Sequence, residues 1–448
     1  MSSQQLGQEL QPDQLAPPGK RQLAKSVFSA SLGNALEYFD FALYGLATAL
    51  VFNPLFFPDV SPAVGMLASF ATFGVGFFAR ALGGIVLGFY GDKLGRKTVL
   101  LFTIALMGIS TALIGLLPTY DQIGLFAPIL LVILRLAQGF GTGAELAGAS
   151  VLLAESALPQ NRNFITSFIS FGSNIGIMGA TGVWLLVSML PEEDLLSWGW
   201  RIPFLCSIVV MLYTLWMRRR INESPVFEAR EDVQEKLSVR EYFPALFKSD
   251  GRAILRSVGF RVGESGPSTF YQVFLIGYAA TVVGVDKSVV TSALLVVSAS
   301  LFAIIPAVGW LSDKVGRRPI QQGAAIFAAI WVFVAIMLVN TGSTAAIYLA
   351  IFGGYAVGVV FMTVVQFAYL PELFGSQARY GGLAASRELG AMLSGGLVPF
   401  VCAGISAITE SWIPIAIYVA ALPIISFLVG LQTPETKARS LLDVNGPR

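Results

Sequence analysis

An all-α membrane protein of twelve transmembrane helices, built as two pseudo-symmetric six-helix bundles, is the fold class this sequence predicts, and three observations predict it. Of the 448 residues, 55% are hydrophobic and only 12% charged, where an ordinary soluble domain carries roughly 25% charged residues. Twelve runs approach the ~20 apolar residues that a helix needs to cross the hydrocarbon of a bilayer. A charged pattern also recurs at a fixed distance. GFYGDKLGRK at 88–97 aligns with GWLSDKVGRR at 309–318, an offset of 221 residues, and Glu155 with Arg162 repeats as Glu372 with Arg379 at an offset of 217. Near-constant offsets at two separate features imply a duplicated unit.

In chain order, residues 1–25 are polar, Gln-rich and basic at Lys20, Arg21 and Lys25. They read as a disordered tail and not as a signal peptide, since a full-length span follows instead of a short apolar core with a cleavage site. The first six spans fall near 26–51, 64–90, 98–117, 124–154, 164–190 and 200–217, the sixth short enough to begin at Trp198. The polar stretch 218–253 opens on Arg218, Arg219 and Arg220 and then alternates in sign. It reads as a loop with some amphipathic helix near the headgroups. The second six spans fall near 254–283, 288–311, 321–339, 344–369, 380–404 and 412–432, followed by a tail over 433–448. With the N-terminus placed in the cytoplasm, Arg201 and Lys287 are the two of the 29 Lys and Arg that fall outside, and four lie inside spans. So strong a bias predicts that both termini are cytoplasmic, in a multi-pass inner-membrane protein.

Several function classes drop out. The chain has no His, so proton transfer near neutral pH falls to Asp and Glu. Cys206 and Cys402 sit far apart in apolar runs and form no metal or disulfide pattern. Neither metal nor cofactor is expected, and no basic stripe stands free of the spans to bind nucleic acid. GDKLGRKT lacks the spacing of a phosphate loop, and the glycine-rich run from Gly139 to Ala144 has no preceding strand to make a dinucleotide site.

The informative residues are the ionisable ones inside spans: Glu37, Asp40, Arg80, Arg135, Glu145, Arg261, Glu264, Arg387 and Glu388. Each costs about 2.5–3.5 kcal/mol if unpaired at a helix centre. Nine such costs exceed what a fold stable by about 5–15 kcal/mol can carry, so these side chains must face one another or water. Glu37, Asp40 and Tyr44 share one face of the first helix; Arg135, Gln138, Thr142 and Glu145 share one face of the fourth; Arg261, Glu264, Ser268 and Gln272 share one face of the seventh. The bland alternative is static ion pairing that fixes helix packing.

GDKLGRK and its copy resemble the loop signature of the major facilitator superfamily. GNALEYFDFALYG (33–45), RLAQGFGTGAELAG (135–148), SWGWRIPF (197–204) and ESPVF (223–227) resemble its metabolite:proton symporter branch, and the chain looks closest to bacterial shikimate permeases. It departs from the family pattern at Ala81, at Gly143-Ala144-Glu145-Leu146 and at Arg387-Glu388. The resemblance implies a secondary active transporter, not an enzyme, working by alternating access as a monomer in lipid. Proton-coupled import of a small organic acid anion is the expectation; a proton symporter for betaine- or proline-like zwitterions and an efflux antiporter are the alternatives.

Asp40 and Glu37 are the preferred proton carriers, since carboxylates a helical turn apart in a low dielectric are suited to sharing a proton; Glu145 on the fourth helix is the rival candidate. Arg135 and Arg261 are the preferred anion ligands because guanidinium stays charged and grips a carboxylate bidentately; the alternative for Arg135 is permanent neutralisation of Glu37 or Asp40. Gln138, Tyr44, Asn174, Glu264, Gln272 and Arg387 join them as candidate substrate contacts. The resemblance further assigns gating to Gly88, Asp92, Arg96, Lys97 and Glu155 and to the copy Asp313, Arg317 and Glu372. In it the loop Asp meets the opposite half and the loop Arg pairs with the acid that ends the fourth or tenth helix. A purely topological basic loop is the alternative.

Overall fold

In a computed structural model, residues 20–94, 96–142, 145–219, 239–375, 379–409, 411–437, 439 and 441 are described. Regular structure among them is entirely helical. The long helices are α1 (Lys20–Leu50), α2 (Pro62–Leu94), α3 (Arg96–Gly115), α4 (Phe126–Thr142 continued by Glu145–Ser156), α5 (Arg162–Ser188) and α6 (Arg201–Arg219). They are followed by α7 (Val239–Thr269, Phe270–Phe274 and Leu275–Thr281), α8 (Lys287–Val315), α9 (Arg317–Asn340), α10 (Thr344–Glu372), α11 (Arg379–Ile408) and α12 (Ile413–Leu431). This is the twelve-helix arrangement that the sequence predicts.

Length and apolarity alone identify seven of these as spans among the described residues, α2, α5 and α8–α12. An eighth is the short helix Glu192–Gly199 joined to Arg201–Trp216 across a bend of 42°. The shortfall has a physical origin. Buried charges lower the hydropathy of α1 and α7, and α3 and α4 adjoin residues outside the described set. Boundaries also shift from the expected ones. α1 begins at Lys20 rather than 26, and α7 begins at Val239, inside the stretch expected as loop, with a kink at Asp250 (φ −128°, ψ 22°). Residues 1–19 and 220–238, most of the expected tail and loop, lie outside the described residues.

Packing places the polar residues. α1 lies along α5, and α7 lies along α11 and α12; α5 crosses to α8, and α2 crosses to α11, joining the two halves. α3, α6, α9 and α12 take the periphery, where Phe102, Val209, Leu212, Ile330, Ile417 and Leu428 are exposed. Such large apolar side chains turned outward fit a hydrocarbon solvent. Inside, Glu37, Asp40, Arg80, Arg135, Arg261, Glu264, Arg387 and Glu388 are all buried. The protein is polar within and apolar without, as its embedded charges require.

The two ends differ. One end carries the basic loops after α2, α4, α8 and α10 and is called the basic end below. The described part of the C-terminal tail packs there: Leu441 is buried, and the Glu435 carboxylate accepts hydrogen bonds from the backbone N–H groups of Arg317 (3.0 Å) and Arg318 (2.9 Å) at the start of α9. The tail expected over 433–448 is thus docked where it is described. At the opposite end the halves meet through the Phe70 and Phe274 rings and one exposed ion pair, Lys287 with Glu192 at 3.0 Å.

Candidate functional site

On α1, α2 and α4 of the first half lies a small cavity lined by Glu37, Asp40, Arg80, Arg135, Gln138 and Thr142, with Phe41 and Phe77. It has room for about one water molecule and none for an organic solute. Glycines let polar groups converge on it. A Cβ at Gly139 of α4 would sit 2.3 Å from the Gly76 carbonyl of α2, and one at Gly76 would sit 2.4 Å from Nε of Arg135. α2 and α4 therefore approach at backbone distance, and the Arg135 side chain runs across bare backbone.

Arg135 has no carboxylate within salt-bridge distance among the described residues. Nη1 donates to Oε1 of Gln138 at 2.6 Å and Nη2 donates to the Phe73 carbonyl at 3.4 Å. The guanidinium lies 4.0 Å from the Tyr44 ring centroid and 5.3 Å from that of Phe73, a cation–π seat; the Tyr44 hydroxyl donates to Thr72 at 2.8 Å. Nε is buried without a partner. Asp40 is in a matching state. Its Oδ2 accepts from Thr111 at 2.9 Å and its Oδ1 is buried without a partner. Permanent neutralisation of Glu37 or Asp40 by Arg135 is therefore not what the geometry shows.

The cation that neutralises Glu37 is Arg80. Its guanidinium pairs with Glu37 of α1 and also, bidentately, with Glu388 of α11 at 2.6 and 3.1 Å. One buried cation thus ties two acids from opposite halves. Neither Arg80 nor Glu388 is given a role by the helix-face argument, because the two stand 308 residues apart and a stripe groups residues of one helix only. Their signal was the cost of burying them.

On α7, Arg261 and Glu264 pair with each other, and Glu264 also accepts from Thr363 of α10 at 2.7 Å. Gln272 donates to Ser268 at 2.8 Å on the same helix. Arg387 of α11 lies 4.9 Å from the Phe367 ring centroid and leaves Nε and Nη2 buried without partners. Asn174 of α5 is elsewhere: its amide donates to the Ser298 carbonyl of α8 at 2.8 Å, joining the halves away from the cavity lining. The Glu145 side chain lies outside the described residues, as do those of Asp92, Arg96 and Lys97 and the surroundings of Gly88. In α10 and α11 the helix widens to π-type turns over Phe352–Val359 and Ala391–Gly395, and in α7 over Phe270–Phe274; such turns concentrate at functional sites.

At the basic end, Asp313 of α8 accepts from the backbone N–H groups of Asn163 (3.0 Å) and Phe164 (2.8 Å), capping α5 of the other half. Arg317 donates to Asp313 at 2.8 Å and pairs with Glu372 at 3.3 Å. Two further pairs cross between the halves, Arg162 with Glu372 and Arg379 with Glu155, both at 2.7 Å. Each crossing arginine also holds a carbonyl of the turn before it, Ala154 for Arg162 and Pro371 for Arg379. Each then holds a carbonyl of the C-terminal tail, Arg439 and Leu441 respectively.

Comparison with known proteins adds a family and a set of relatives. The sequence profile of the Major Facilitator Superfamily matches residues 30–399. The putative transporter YdfJ of Escherichia coli K12 is 40% identical over 406 residues, spanning 90% of this chain and 94% of its own. The shikimate transporter of the same strain is 37% identical, over 92% and 95% of the two chains. The proline/betaine transporter of Salmonella typhimurium is 33% identical over 94% and 85%. Among solved structures, the partially occluded inward-open xylose transporter XylE of E. coli superposes with a TM-score of 0.74 at 18% identity, covering 94% of this chain and 99% of that one. At that identity the likeness concerns the fold.

Proposed function

The chain belongs to the major facilitator superfamily and is a membrane transporter, not an enzyme, and from that premise we propose that it imports a small organic acid anion together with protons. The observation that carries this reading is the pair of incompletely partnered groups on one cavity, Arg135 with no carboxylate among the described residues and Asp40 with one neutral donor. A buried cation short of hydrogen-bond acceptors is a strong anion ligand, because the cost of burying it is already met by the fold. A buried carboxylate short of donors is a proton acceptor. A proton on Asp40 leaves Arg135 as the excess charge of the cavity, so an anion enters a cationic site. Carrying protons with the anion also offsets its charge against an inside-negative potential.

In this reading the basic end is cytoplasmic, as the distribution of Lys and Arg favours, and the protein works as a monomer in a bacterial inner membrane. The crossing pairs Arg162–Glu372 and Arg379–Glu155 close the cytoplasmic side and part when the cavity opens inward; Asp313 and Arg317 hold one half of that closure, with Asp92 and Arg96 as their counterparts. Arg387 is the candidate anion contact from the second half. Arg261 is paired with Glu264 but keeps Nε buried without a partner, so it stays a second candidate contact from that half. A zwitterion of the betaine or proline kind is the second reading. It is favoured by the same cavity offering a carboxylate oxygen and a guanidinium nitrogen together, and by relatives that bear those names.

The test is uptake into proteoliposomes under an imposed pH gradient, screening shikimate, citrate, 2-oxoglutarate and benzoate against glycine betaine and proline. Gradient-driven accumulation of a carboxylate that Asp40→Asn abolishes while exchange persists supports the anion reading. Accumulation of betaine alone selects the second reading. Undiminished uphill uptake by Asp40→Asn removes Asp40 from the mechanism.

A further inference from the structure

Thr111 of α3 stands outside every residue pattern that the sequence offered. It is fully buried between the two groups on which the proposed function rests. Its hydroxyl has one hydrogen and three neighbours: Oδ2 of Asp40 at 2.9 Å, the Met107 carbonyl at 2.9 Å and Nε2 of Gln138 at 2.7 Å. The direction of each bond is set from the arginine end. A guanidinium only donates, so the Gln138 atom that meets Arg135 is the amide oxygen. The amide nitrogen then faces Thr111 and donates to it. The hydroxyl hydrogen is left for Asp40 or for Met107, and it cannot serve both.

We infer that Thr111 is a positioning residue that links the proton held at Asp40 to the anion grip of Arg135, an inference that rests on the roles proposed above for those two residues. With Asp40 ionised, the carboxylate is the stronger acceptor and takes the hydroxyl hydrogen. Arg135, Gln138, Thr111 and Asp40 then form one run polarised from cation to anion, in which each bond strengthens the next. Arg135 is held to Gln138 by that run. A proton at Oδ2 reverses the last bond. Asp40 now donates to the second lone pair of Thr111, and the hydroxyl hydrogen turns to Met107. The pull of the carboxylate on the run is gone, and the N–H groups of Arg135 are released to a solute anion. Thr111 is satisfied in both states, so the reversal requires no helix movement.

The charged surroundings leave this link intact. Asp40 faces Arg135 of α4 and Thr111 of α3. Glu37, one turn away on α1, is held by Arg80 of α2, which also holds Glu388 of α11. Arg261 and Glu264 of α7 are paired with each other, and α5 and α6 carry charged residues only at their ends. The Glu145 side chain lies outside the described residues.

The experiment compares wild type, Thr111→Val and Thr111→Ser in proteoliposomes. Initial uptake of radiolabelled shikimate is followed against external pH, with radiolabelled glycine betaine used instead where the screen above selects it. Folding of each variant is verified by size exclusion and thermal melting. The wild-type apparent KM should rise about tenfold between about pH 6 and about pH 8, within the usual range for coupled sites. Thr111→Val should flatten that rise to less than about twofold, and Thr111→Ser should restore it. If the valine variant does not fold, Gln138→Leu interrupts the run at its next member and should flatten the profile equally. A valine variant with the wild-type profile, or a serine variant as flat as valine, overturns the inference, as does gradient-driven wild-type uptake with a KM indifferent to pH. Wild-type uptake indifferent to the proton gradient instead rejects the proposed function, a result read before any variant is made.

Discussion

The basic end and the central cavity spend buried charge in opposite ways. At the basic end each arginine that crosses between halves meets a carboxylate, and the contacts repeat. Arg162 holds Ala154, Glu372 and Arg439 as Arg379 holds Pro371, Glu155 and Leu441, and the first two members of each set follow the 217-residue offset visible in the sequence. In the cavity that symmetry is broken. The residue 221 positions after Asp40 is Arg261, and the one 221 positions after Arg80 is Leu301. Among the described residues Arg135 lacks a carboxylate, as does Arg387 outside the cavity lining, and Asp40 keeps a bare oxygen. Closing a gate is a symmetric task that both copies of a duplicated unit can share. Choosing a solute is not, so the copies diverge where the solute and proton would sit.

The comparison can be broken most sharply at the proposed gate. Glu372→Ala strands Arg162 in a buried site and leaves Arg317 with Asp313 as its remaining carboxylate among the described residues, and stranding one partner of such a pair typically costs about 3–5 kcal/mol. A large drop in melting temperature of the purified protein is expected, together with faster alkylation of a cysteine placed at Asn163 as the basic end opens. A melting point within a degree or two of wild type would show that the gate does not bear on stability. Arg135→Ala comes next. The loss of a charge-assisted contact, about 1.5–3 kcal/mol, should raise the apparent solute constant roughly ten- to a hundredfold while the melting temperature barely moves, since no carboxylate among the described residues loses its partner.

Glu388→Gln tests the join between the two halves beside the cavity. Arg80 keeps Glu37 and loses its hold on α11, so exchange should speed up while accumulation falls severalfold; unchanged exchange would mean that this bridge opens freely in the cycle. The smallest effect is expected at Asn174→Ala, which removes one hydrogen bond between helices, worth about 1 kcal/mol. It should lower the melting temperature slightly and leave the solute constant alone. A large change in that constant would bring Asn174 back to the solute.

Much of this was legible in the sequence. Twelve runs of membrane-spanning length, the repeated loop and the expense of embedded charge give the fold and the idea of a polar interior without coordinates. The stripes on helices 1, 4 and 7 pick out side chains that are buried or half-buried where they are described, the Glu145 side chain lying outside that set. What they do not contain is partnership across helices. Glu155 and Arg162 look like a local pair seven residues apart, yet each takes its partner from the other half. Arg80 and Glu388 were visible as costs and invisible as a bridge. Thr111 left no signal, because a threonine in an apolar helix that bonds the carbonyl four residues back is an ordinary occurrence. Its second bond, to Asp40, exists only once α1 and α3 are packed.

Proton movement accompanying solute is the most direct test of the account. Proteoliposomes loaded with a pH-sensitive dye and held without a pH gradient are given the solute selected by the uptake screen on the outside. Wild type should acidify the lumen as the solute enters, and Asp40→Asn vesicles preloaded with unlabelled solute should exchange it for labelled solute with no acidification. Solute entry by the wild-type protein with the lumen pH unmoved would contradict the claim that an acid and an arginine on one cavity carry a proton and a solute together.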